Sequence, residues 1–243
     1  MTAMATTRDL TVPARALAIG AHPDDIEFGC GATLAKWAAA GCAVTMLVLT
    51  DGSKGTWDAG ADTGGLVETR RLEQKAAAAA LGARDVQFLD RVDGELASGR
   101  AEQAEVCAVI RAVRPDVVLG HDPWKRYRIH PDHRHAGWIT LDAIVAARDP
   151  HFFPEQPDAP HRPACALLFE ADDVDHHEDV DGWLDAKVAS LLSHRSQWRS
   201  TMNIGDDGDG RDTFVSEVQA DAVRDAAGSG LRVAEAFKLL RDL

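Results

Sequence analysis

The sequence predicts an α/β fold built on a parallel sheet, and two observations lead to this prediction. Apolar runs rich in β-branched residues alternate along the chain with stretches that carry apolar residues at helical spacing. The apolar runs look buried on both faces, as strands must be when helices cover both sides of a parallel sheet. The chain has 243 residues, enough for one large domain with a well-buried core.

The elements follow one another in a regular order. Five strands are predicted, at 16–22, 43–50, 85–89, 116–120 and 165–170. Helices are predicted at 31–40, 66–82, 101–113, 135–147 and near 180–198. The remaining predictions are an excursion or interface loop at 149–163, a mobile acidic loop at 203–212 and a short closing helix at 230–240. We expect a flexible N-terminus over residues 1–13 and a single domain over residues 14–243.

Charge and cysteine content limit the choice of partner and compartment. The 39 acidic residues outnumber the 26 basic ones, and a net charge of −13 argues against nucleic acid or an anionic membrane as the main partner. The four cysteines include no CxxC pair, which favours the reduced thiols of a cytoplasm. No signal peptide or membrane-spanning run is visible in the sequence. We therefore expect a soluble cytoplasmic protein with a small-molecule partner, and homo-oligomer formation stays open.

Two polar motifs follow predicted strands, AHPDD at 21–25 and HPDH at 130–133. Ligands of open α/β sheets bind beyond the carboxyl ends of the strands. A divalent metal would explain two adjacent carboxylates there, with His22, Asp25 and His133 as three protein ligands and one open position, as in catalytic zinc sites. Asp24 would then be a spare carboxylate, able to take a proton from a coordinated water. Solvated turns are the alternative explanation.

These residues resemble the PIG-L/LmbE-like metal-dependent deacetylases, which include N-acetylglucosaminylphosphatidylinositol deacetylase and the deacetylases of mycothiol and bacillithiol biosynthesis. The resemblance runs from about Leu17 to Trp198. Besides AHPDD and HPDH, the matching segments are the glycine-rich 29–35, TDG at 50–52, RRLE at 70–73, FLDRVDGEL at 88–96 and HRSQ at 194–197. The resemblance implies a Rossmann-like three-layer α/β fold with a mostly parallel sheet, as in LmbE-like proteins.

The resemblance also implies a reaction and a cofactor. His22, Asp25 and His133 would bind one Zn²⁺ per chain, with another divalent metal such as Fe²⁺ left open. Asp24 would be the general base and then the general acid toward the leaving amine. The implied activity is that of an amidohydrolase that removes an acetyl or other acyl group from the amine of an N-acetylglucosamine-type sugar or a related N-acyl amine.

Four further roles come from the same resemblance. His130 would stabilise the oxyanion as an imidazolium, and Asp132 would orient a histidine. Arg70 and Asp93 correspond to residues that hold the substrate in the family.

The chain departs from the family at the residues before HPDH. Some members carry a tyrosine two residues before the first histidine of that motif, where this chain has Arg128, and Tyr127 lies one residue further back. Arg128 forms a basic rim with Lys125 and Arg126. This rim suggests a substrate that carries a phosphate or carboxylate, with Arg128 as a contact, although an ordinary solvated charge run is the alternative.

Several residues and two other functions stay open. His121 would line the site or make a structural hydrogen bond, and His194 would reach the pocket or an interface. His176 and His177 could bind a metal, but a solvated stretch is the prediction. Trp57 and Trp124 would stack on a sugar or anchor their loops. The ligand set also suits an iron(II) oxygenase, and a metal-binding protein without catalysis is the third possibility. The pair of glycines at 29 and 31 lacks the third glycine of a dinucleotide-binding loop.

Overall fold

The computed structural model describes residues 6–243, and the eight strands in this range form one sheet. They are β1 Thr7–Arg8, β2 Arg15–Gly20, β3 Ala43–Thr50, β4 Asp85–Arg91, β5 Val117–His121, β6 Cys165–Phe169, β7 His176–Asp179 and β8 Ala234–Arg241. Their order across the sheet is β1-β7-β8-β6-β5-β2-β3-β4. Strand β8 is antiparallel to β6 and β7, and the other pairs are parallel. The predicted mostly parallel α/β sheet is confirmed.

Six α-helices lie within residues 6–243. They are α1 Asp25–Ala39, α2 Thr63–Ala80, α3 Arg100–Val113, α4 Pro131–Arg148, α5 Leu184–Leu192 and α6 Arg211–Asp225, and a 3₁₀ turn at Arg195–Gln197 follows α5. Helix α6 lies where the sequence predicts no element, because its buried stripe is only Phe214, Val218 and Ala222. Across the described range, none of the helices has both the length and the apolar character needed to cross a bilayer.

The closing segment is a strand, β8, and the prediction of a short helix over 230–240 is wrong. A short apolar run fits either periodicity, so the local pattern does not decide between helix and strand. Pairing with two neighbours decides it. Phe237 lies opposite Phe169 of β6 on one side and His176 of β7 on the other. In this position β8 satisfies the backbone groups of both neighbouring strands.

The histidine pair at 176–177 is buried in β7, so the prediction of a solvated stretch is wrong. The ring of His176 is fully buried, with Nδ1 2.8 Å from Thr7 Oγ1 and Nε2 3.1 Å from Glu178 Oε1. Strand β1 pairs with β7 through Thr7 and Arg8. The segment expected to be flexible, 1–13, is therefore tied to the sheet from residue 7, and its residues 1–5 lie outside the described residues.

Helices cover both faces of the sheet and give it three layers. Within β2, Ala18 faces a core that contains Trp37 of α1, and the next-door Leu17 faces a core that contains Ile110 of α3. Successive side chains of a strand point to opposite faces, so this alternation buries both sides of the strand. The implied three-layer architecture is confirmed.

The glycine-rich segment after the first motif serves close packing. A Cβ atom on Gly29 would come within 2.5 Å of the Phe169 ring. Helix α1 kinks at Cys30, and the buried carboxylate of Glu235 in β8 accepts the N–H of Ala32 at 3.0 Å, where the second part of the helix begins. The segment thus brings α1 against β6 and β8, directly behind the polar end of β2.

Candidate functional site

The site lies at the carboxyl ends of the adjacent parallel strands β2 and β5. Strands β3 and β4 lie on one side of β2 and strands β5 and β6 on the other, so the loops after β2 and β5 diverge and leave a crevice. Helix α1 begins within the first motif and α4 begins at Pro131 of the second. The crevice is a cavity of about 340 Å³, which we call the metal-site cavity. It is lined by His22, Asp24, Asp25, Lys54, Gly55, Thr56, Trp57, Arg70, Asp93, Gly94, His130, His133, Gln197, Ser200 and Thr201.

The first motif is a tight turn that Asp25 closes. The Asp25 Oδ2 atom accepts the backbone N–H of His22 at 2.7 Å, and the Asp25 N–H donates to the His22 carbonyl at 3.3 Å. Between them, Asp24 takes a φ of 99°, a left-handed conformation that few non-glycine residues adopt. One histidine and two carboxylates are thereby gathered at the N-terminus of α1, where the helix dipole favours negative charge.

Two histidine nitrogens and the two carboxylate oxygens of Asp25, all from the two motifs, lie close to one another. His22 Nδ1 lies 3.1 Å from His133 Nε2, and these nitrogens lie 3.3 Å from Asp25 Oδ2 and Asp25 Oδ1, respectively. A tetrahedral zinc ion with bonds of about 2.0–2.1 Å holds its ligand atoms about 3.3 Å apart. The spacing therefore fits a divalent metal of this size, and the structure brings together the three residues that the sequence predicts as ligands.

The opposite nitrogen of His22 faces two carboxylates. His22 Nε2 lies 3.1 Å from both Asp132 Oδ2 and Asp93 Oδ1. Since carboxylates only accept, Nε2 carries a hydrogen. Burial alone would lower the pKa of His22, but its contacts with Asp132, Asp25 and Asp93 raise that pKa well above its usual value, and a metal bound at Nδ1 would take the place of the second proton. Asp132 also accepts the backbone N–H of Gly94 and, at 3.3 Å, that of Leu96, which ties it to the loop after β4. These contacts are those expected of a residue that orients a histidine.

Asp25 is held in its ionised form. Burial alone would raise the pKa of this carboxyl, but the charges and hydrogen bonds of His133 and His121 hold it well below its usual range. His121, at the end of β5, places Nε2 3.2 Å from Asp25 Oδ2 and Nδ1 3.2 Å from Glu170 Oε2. His121 therefore lies beside the three candidate metal ligands, and it makes the hydrogen bond that the sequence left open.

Asp24 is buried beside the three candidate ligands but is not one of them. Burial raises its pKa to about 6, and the positive charge of Arg70 opposes that shift. Arg70 Nη2 lies 3.4 Å from Asp24 Oδ2, and Nη1 donates to the Gly52 carbonyl at 3.0 Å. A carboxyl group whose pKa lies near neutrality can both accept and return a proton, which suits a general base.

His130 lines the cavity next to the ligands. Its ring meets the edge of the His22 ring at a centroid distance of 4.6 Å and stacks on His133 at 5.0 Å. Burial lowers the pKa of His130, and the charges of His22 and His133 lower it further. The surroundings thus favour a neutral imidazole and oppose the imidazolium that the family resemblance implies.

The three predicted substrate residues are not equivalent. Arg70 and Asp93 line the metal-site cavity, but Arg128 lines an adjoining cavity of about 640 Å³. Arg128 pairs with Glu170, and Lys125 lies 2.7 Å from a carboxylate oxygen of Asp172. The basic rim is therefore largely neutralised by acidic neighbours, which weakens the prediction that it selects an anionic substrate.

Of the buried polar residues behind Asp24, sequence reasoning gave no role to Gln74 and Glu27 and left His194 open between the pocket and an interface. Gln74 of α2, Glu27 of α1 and His194 are each fully buried. Their neighbourhood depends on how α2 packs against α1, and no local pattern carries that information. The signal that could have found them is their position in the motif segments, since Glu27 follows HPDD and His194 opens HRSQ.

Comparison with known proteins agrees with this geometry. Residues 17–144, which contain both motifs, match the family described as PIG-L: GlcNAc-PI de-N-acetylase. The chain is 37% identical over 188 residues to the diacetylchitobiose deacetylase of Thermococcus kodakarensis, and the alignment covers 76% of this chain and 70% of that protein. It is 35% identical over 175 residues to the 1D-myo-inositol 2-acetamido-2-deoxy-alpha-D-glucopyranoside deacetylase of Kineococcus radiotolerans, covering 59% of this chain and 48% of that one.

A solved structure shows the same architecture. The N,N'-diacetylchitobiose deacetylase from Pyrococcus horikoshii, complexed with its inhibitor MPG, superimposes with a TM-score of 0.85 at 26% sequence identity. The match covers 94% of this chain and 84% of that chain. Sequence and structure comparisons therefore agree over most of the chain.

Proposed function

The chain belongs to the PIG-L family of GlcNAc-PI de-N-acetylases, and on that premise we propose that it is a zinc-dependent hydrolase that removes the acetyl group from the amine of an N-acetylglucosamine-type sugar. The observation that carries the proposal is the donor triangle of His22, Asp25 and His133 with the spare carboxylate of Asp24 buried beside it. A site that only binds metal has no need of that extra carboxylate.

Zinc suits the donor set for two reasons. Two imidazole nitrogens and one carboxylate are ligands that zinc accepts, and three protein ligands leave a position open. When bound, zinc would polarise a carbonyl and supply a water whose pKa is about 7. His22 would bind through Nδ1 and His133 through Nε2. The carboxylates of Asp93 and Asp132 would hold the His22 ring in the tautomer that this requires.

Asp24 and His130 have separate roles: Asp24 transfers the proton, and His130 stabilises the developing negative charge. Asp24 accepts a proton from the attacking water at a carboxylate oxygen and returns it to the amine nitrogen as the amide bond breaks. His130 is neutral and carries one N–H, which donates to the substrate carbonyl oxygen as negative charge grows on it. Arg70 holds Asp24 in its place and compensates its charge when it is ionised.

Substrate contacts are assigned by position in the cavity. Asp93 and Arg70 line it together with the ligands, which supports a role in holding the sugar next to the scissile amide. Arg128 lines the adjoining cavity and would contact the part of the substrate farthest from the amide. The two cavities share Thr201 as a lining residue, so they lie side by side.

Replacing Trp57 is expected to weaken binding of the sugar without changing the chemical step. Its indole is 86% exposed and lines the metal-site cavity, an arrangement that suits stacking on the apolar face of a sugar ring. In Trp57→Ala we expect KM to rise about tenfold and kcat to stay within about twofold, since a contact present in both ground and transition state changes KM. Steady-state kinetics on an N-acetylglucosaminide measures both constants.

Trp124 provides the matched control for that variant. It is also exposed on a loop, but it packs edge-on against Trp138 at 4.9 Å and lies outside the residues that line the metal-site cavity. Trp124→Ala should leave both constants near wild type. An unchanged KM in Trp57→Ala would show that the indole does not contact the sugar.

The proposed function is tested by measuring acetate and free amine released from defined substrates. N-Acetylglucosamine, N,N'-diacetylchitobiose and an inositol N-acetylglucosaminide are incubated with the protein, and its metal content is measured in parallel. We expect acetate and amine in equal amounts, with turnover proportional to bound metal. Tight zinc binding without any amine release would instead support a protein that binds metal without catalysis, and turnover that needs oxygen and iron(II) would support an oxygenase.

A further inference from the structure

The peptide group between Pro23 and Asp24 forms hydrogen bonds through both its carbonyl and its N–H with side chains of helix α2. The carbonyl of Pro23 accepts a hydrogen bond from Arg70 Nη2 at 2.5 Å, and the N–H of Asp24 donates to Gln74 Oε1 at 3.1 Å. Arg70 and Gln74 are four residues apart, so they lie one above the other on the same face of the helix. Helix α2 therefore fixes the plane of the peptide that joins Pro23 to Asp24.

That peptide needs a restraint because Asp24 is left-handed. Its φ of 99° is disfavoured for residues with a Cβ atom, and such conformations persist only where the surroundings hold them. The direction of the Asp24 side chain depends on this backbone conformation. If the peptide plane turned, the carboxylate would leave its place beside the metal ligands.

Gln74 is itself oriented by a buried carboxylate. Its Nε2 atom donates to Glu27 Oε1 at 2.5 Å, and both side chains are fully buried. A carboxylate accepts hydrogen bonds and an amide nitrogen donates them, so this contact turns Oε1 of Gln74 toward the Asp24 N–H. The other carboxylate oxygen of Glu27 lies 3.7 Å from His194 Nε2, and neither ring nitrogen of His194 has a hydrogen-bond partner within residues 6–243.

From this chain of contacts we infer that Gln74, oriented by Glu27, is a positioning residue that holds Asp24 for proton transfer. The inference rests on the proposed function, in which Asp24 moves the proton. Gln74 contacts the backbone of Asp24 and is not among the residues that line the metal-site cavity, so it acts on the reaction by holding Asp24 and not by contacting the substrate. The buried amide is thus required for its hydrogen-bonding pattern rather than for its volume.

The test compares three variants with wild type for kcat, KM and metal content. Gln74→Leu keeps the volume and loses the acceptor, and we expect kcat to fall on the order of tenfold to a hundredfold with KM and metal content unchanged. Gln74→Glu keeps an acceptor for Asp24 but places a second carboxylate against Glu27, so kcat should also fall. The double variant Glu27→Gln with Gln74→Glu restores one donor and one acceptor between the two positions and should recover at least half of the lost turnover.

A readout independent of turnover is hydrogen exchange at the Asp24 amide. In the wild type this N–H is buried and hydrogen-bonded, so Gln74→Leu should make it exchange at least about tenfold faster while exchange in the sheet is unchanged. Gln156→Leu is the matched control, because the Gln156 amide likewise uses both ends: its oxygen accepts from Arg111 and its nitrogen donates to the Ala104 carbonyl, away from the metal-site cavity. It should lower stability and leave kcat unchanged.

The outcomes separate this inference from the proposed function. If Asp24→Asn abolishes turnover while Gln74→Leu keeps wild-type kcat and Asp24 amide protection, the positioning role is wrong and the function stands. If Gln74→Leu loses metal along with kcat, or the double variant recovers nothing, Gln74 is a general structural residue. If Asp24→Asn is fully active, the proposed mechanism fails first.

Discussion

Asp24→Asn is expected to keep its fold and metal and to lose about a thousandfold in kcat, within the range that general acid–base catalysis contributes. The amide is nearly the same size as the carboxyl group but cannot take up a proton. Asparagine also tolerates the left-handed backbone that Asp24 adopts, so the turn itself should persist. The measurements are acetate release under saturating substrate and metal content per chain.

Asp90→Asn is the matched control for this variant. Asp90 is another aspartate with a positive φ, 56°, but its exposed side chain pairs with Arg71 and is not part of the metal-site cavity. The same chemical change at the same kind of backbone position should leave kcat at the wild-type value. Retention of more than half of the wild-type kcat by a metal-loaded Asp24→Asn protein would contradict the assignment of Asp24 as the base.

The position of the site could be predicted from sequence because it depends on short-range features. His22 and Asp25 are joined by one tight turn, so their spacing along the chain sets their distance in space. His133 lies 111 residues beyond His22 along the chain, but it follows a strand end as well. In a parallel sheet the carboxyl ends of the strands share one edge, so the topology brings the two motifs together.

The contacts behind Asp24 could not be predicted because they depend on packing between distant elements. In the sequence, Gln74 is an ordinary polar position of a helix, and only the packing of α2 against the first motif turns its amide toward the Asp24 backbone. The sequence also failed to predict that β8 is a strand, for the same reason. Its local pattern is ambiguous, and the neighbouring strands β6 and β7 determine it.

The charge state of His130 shows a further limit of sequence reasoning. A motif identifies the residue type, but the pKa depends on neighbours in space. Burial and the charges of His22 and His133 lower the pKa of the His130 imidazole, and a bound dication would act in the same direction. A neutral ring can still donate one hydrogen bond to a developing oxyanion, so the role proposed for His130 does not require an imidazolium.

His133→Ala is expected to lose bound metal and with it nearly all turnover. The two ligands that remain, His22 and Asp25, belong to one turn and leave half of a tetrahedral site without protein atoms. Metal affinity should fall by more than about a hundredfold, beyond the effect of removing a residue that only supports a ligand. Metal per chain after dialysis is the direct measurement. His135→Ala is the control, because His135 lies on the same helix and its Nδ1 contacts Ser98 at 3.0 Å.

Thermal unfolding provides the second measurement for this variant and places the metal within the site. A ligand that binds only the folded state stabilises it by about 4 kcal/mol at a thousand times its Kd, so zinc should raise the Tm of the wild type but not that of His133→Ala. If His133→Ala kept both the bound metal and the Tm shift, the metal would have to be assigned to the neighbouring group of His22, Asp93 and Asp132 instead. Those carboxylates face Nε2 of His22, whereas His133 and Asp25 face Nδ1. The two sites would use opposite nitrogens of one ring, and only one of them loses a ligand in His133→Ala.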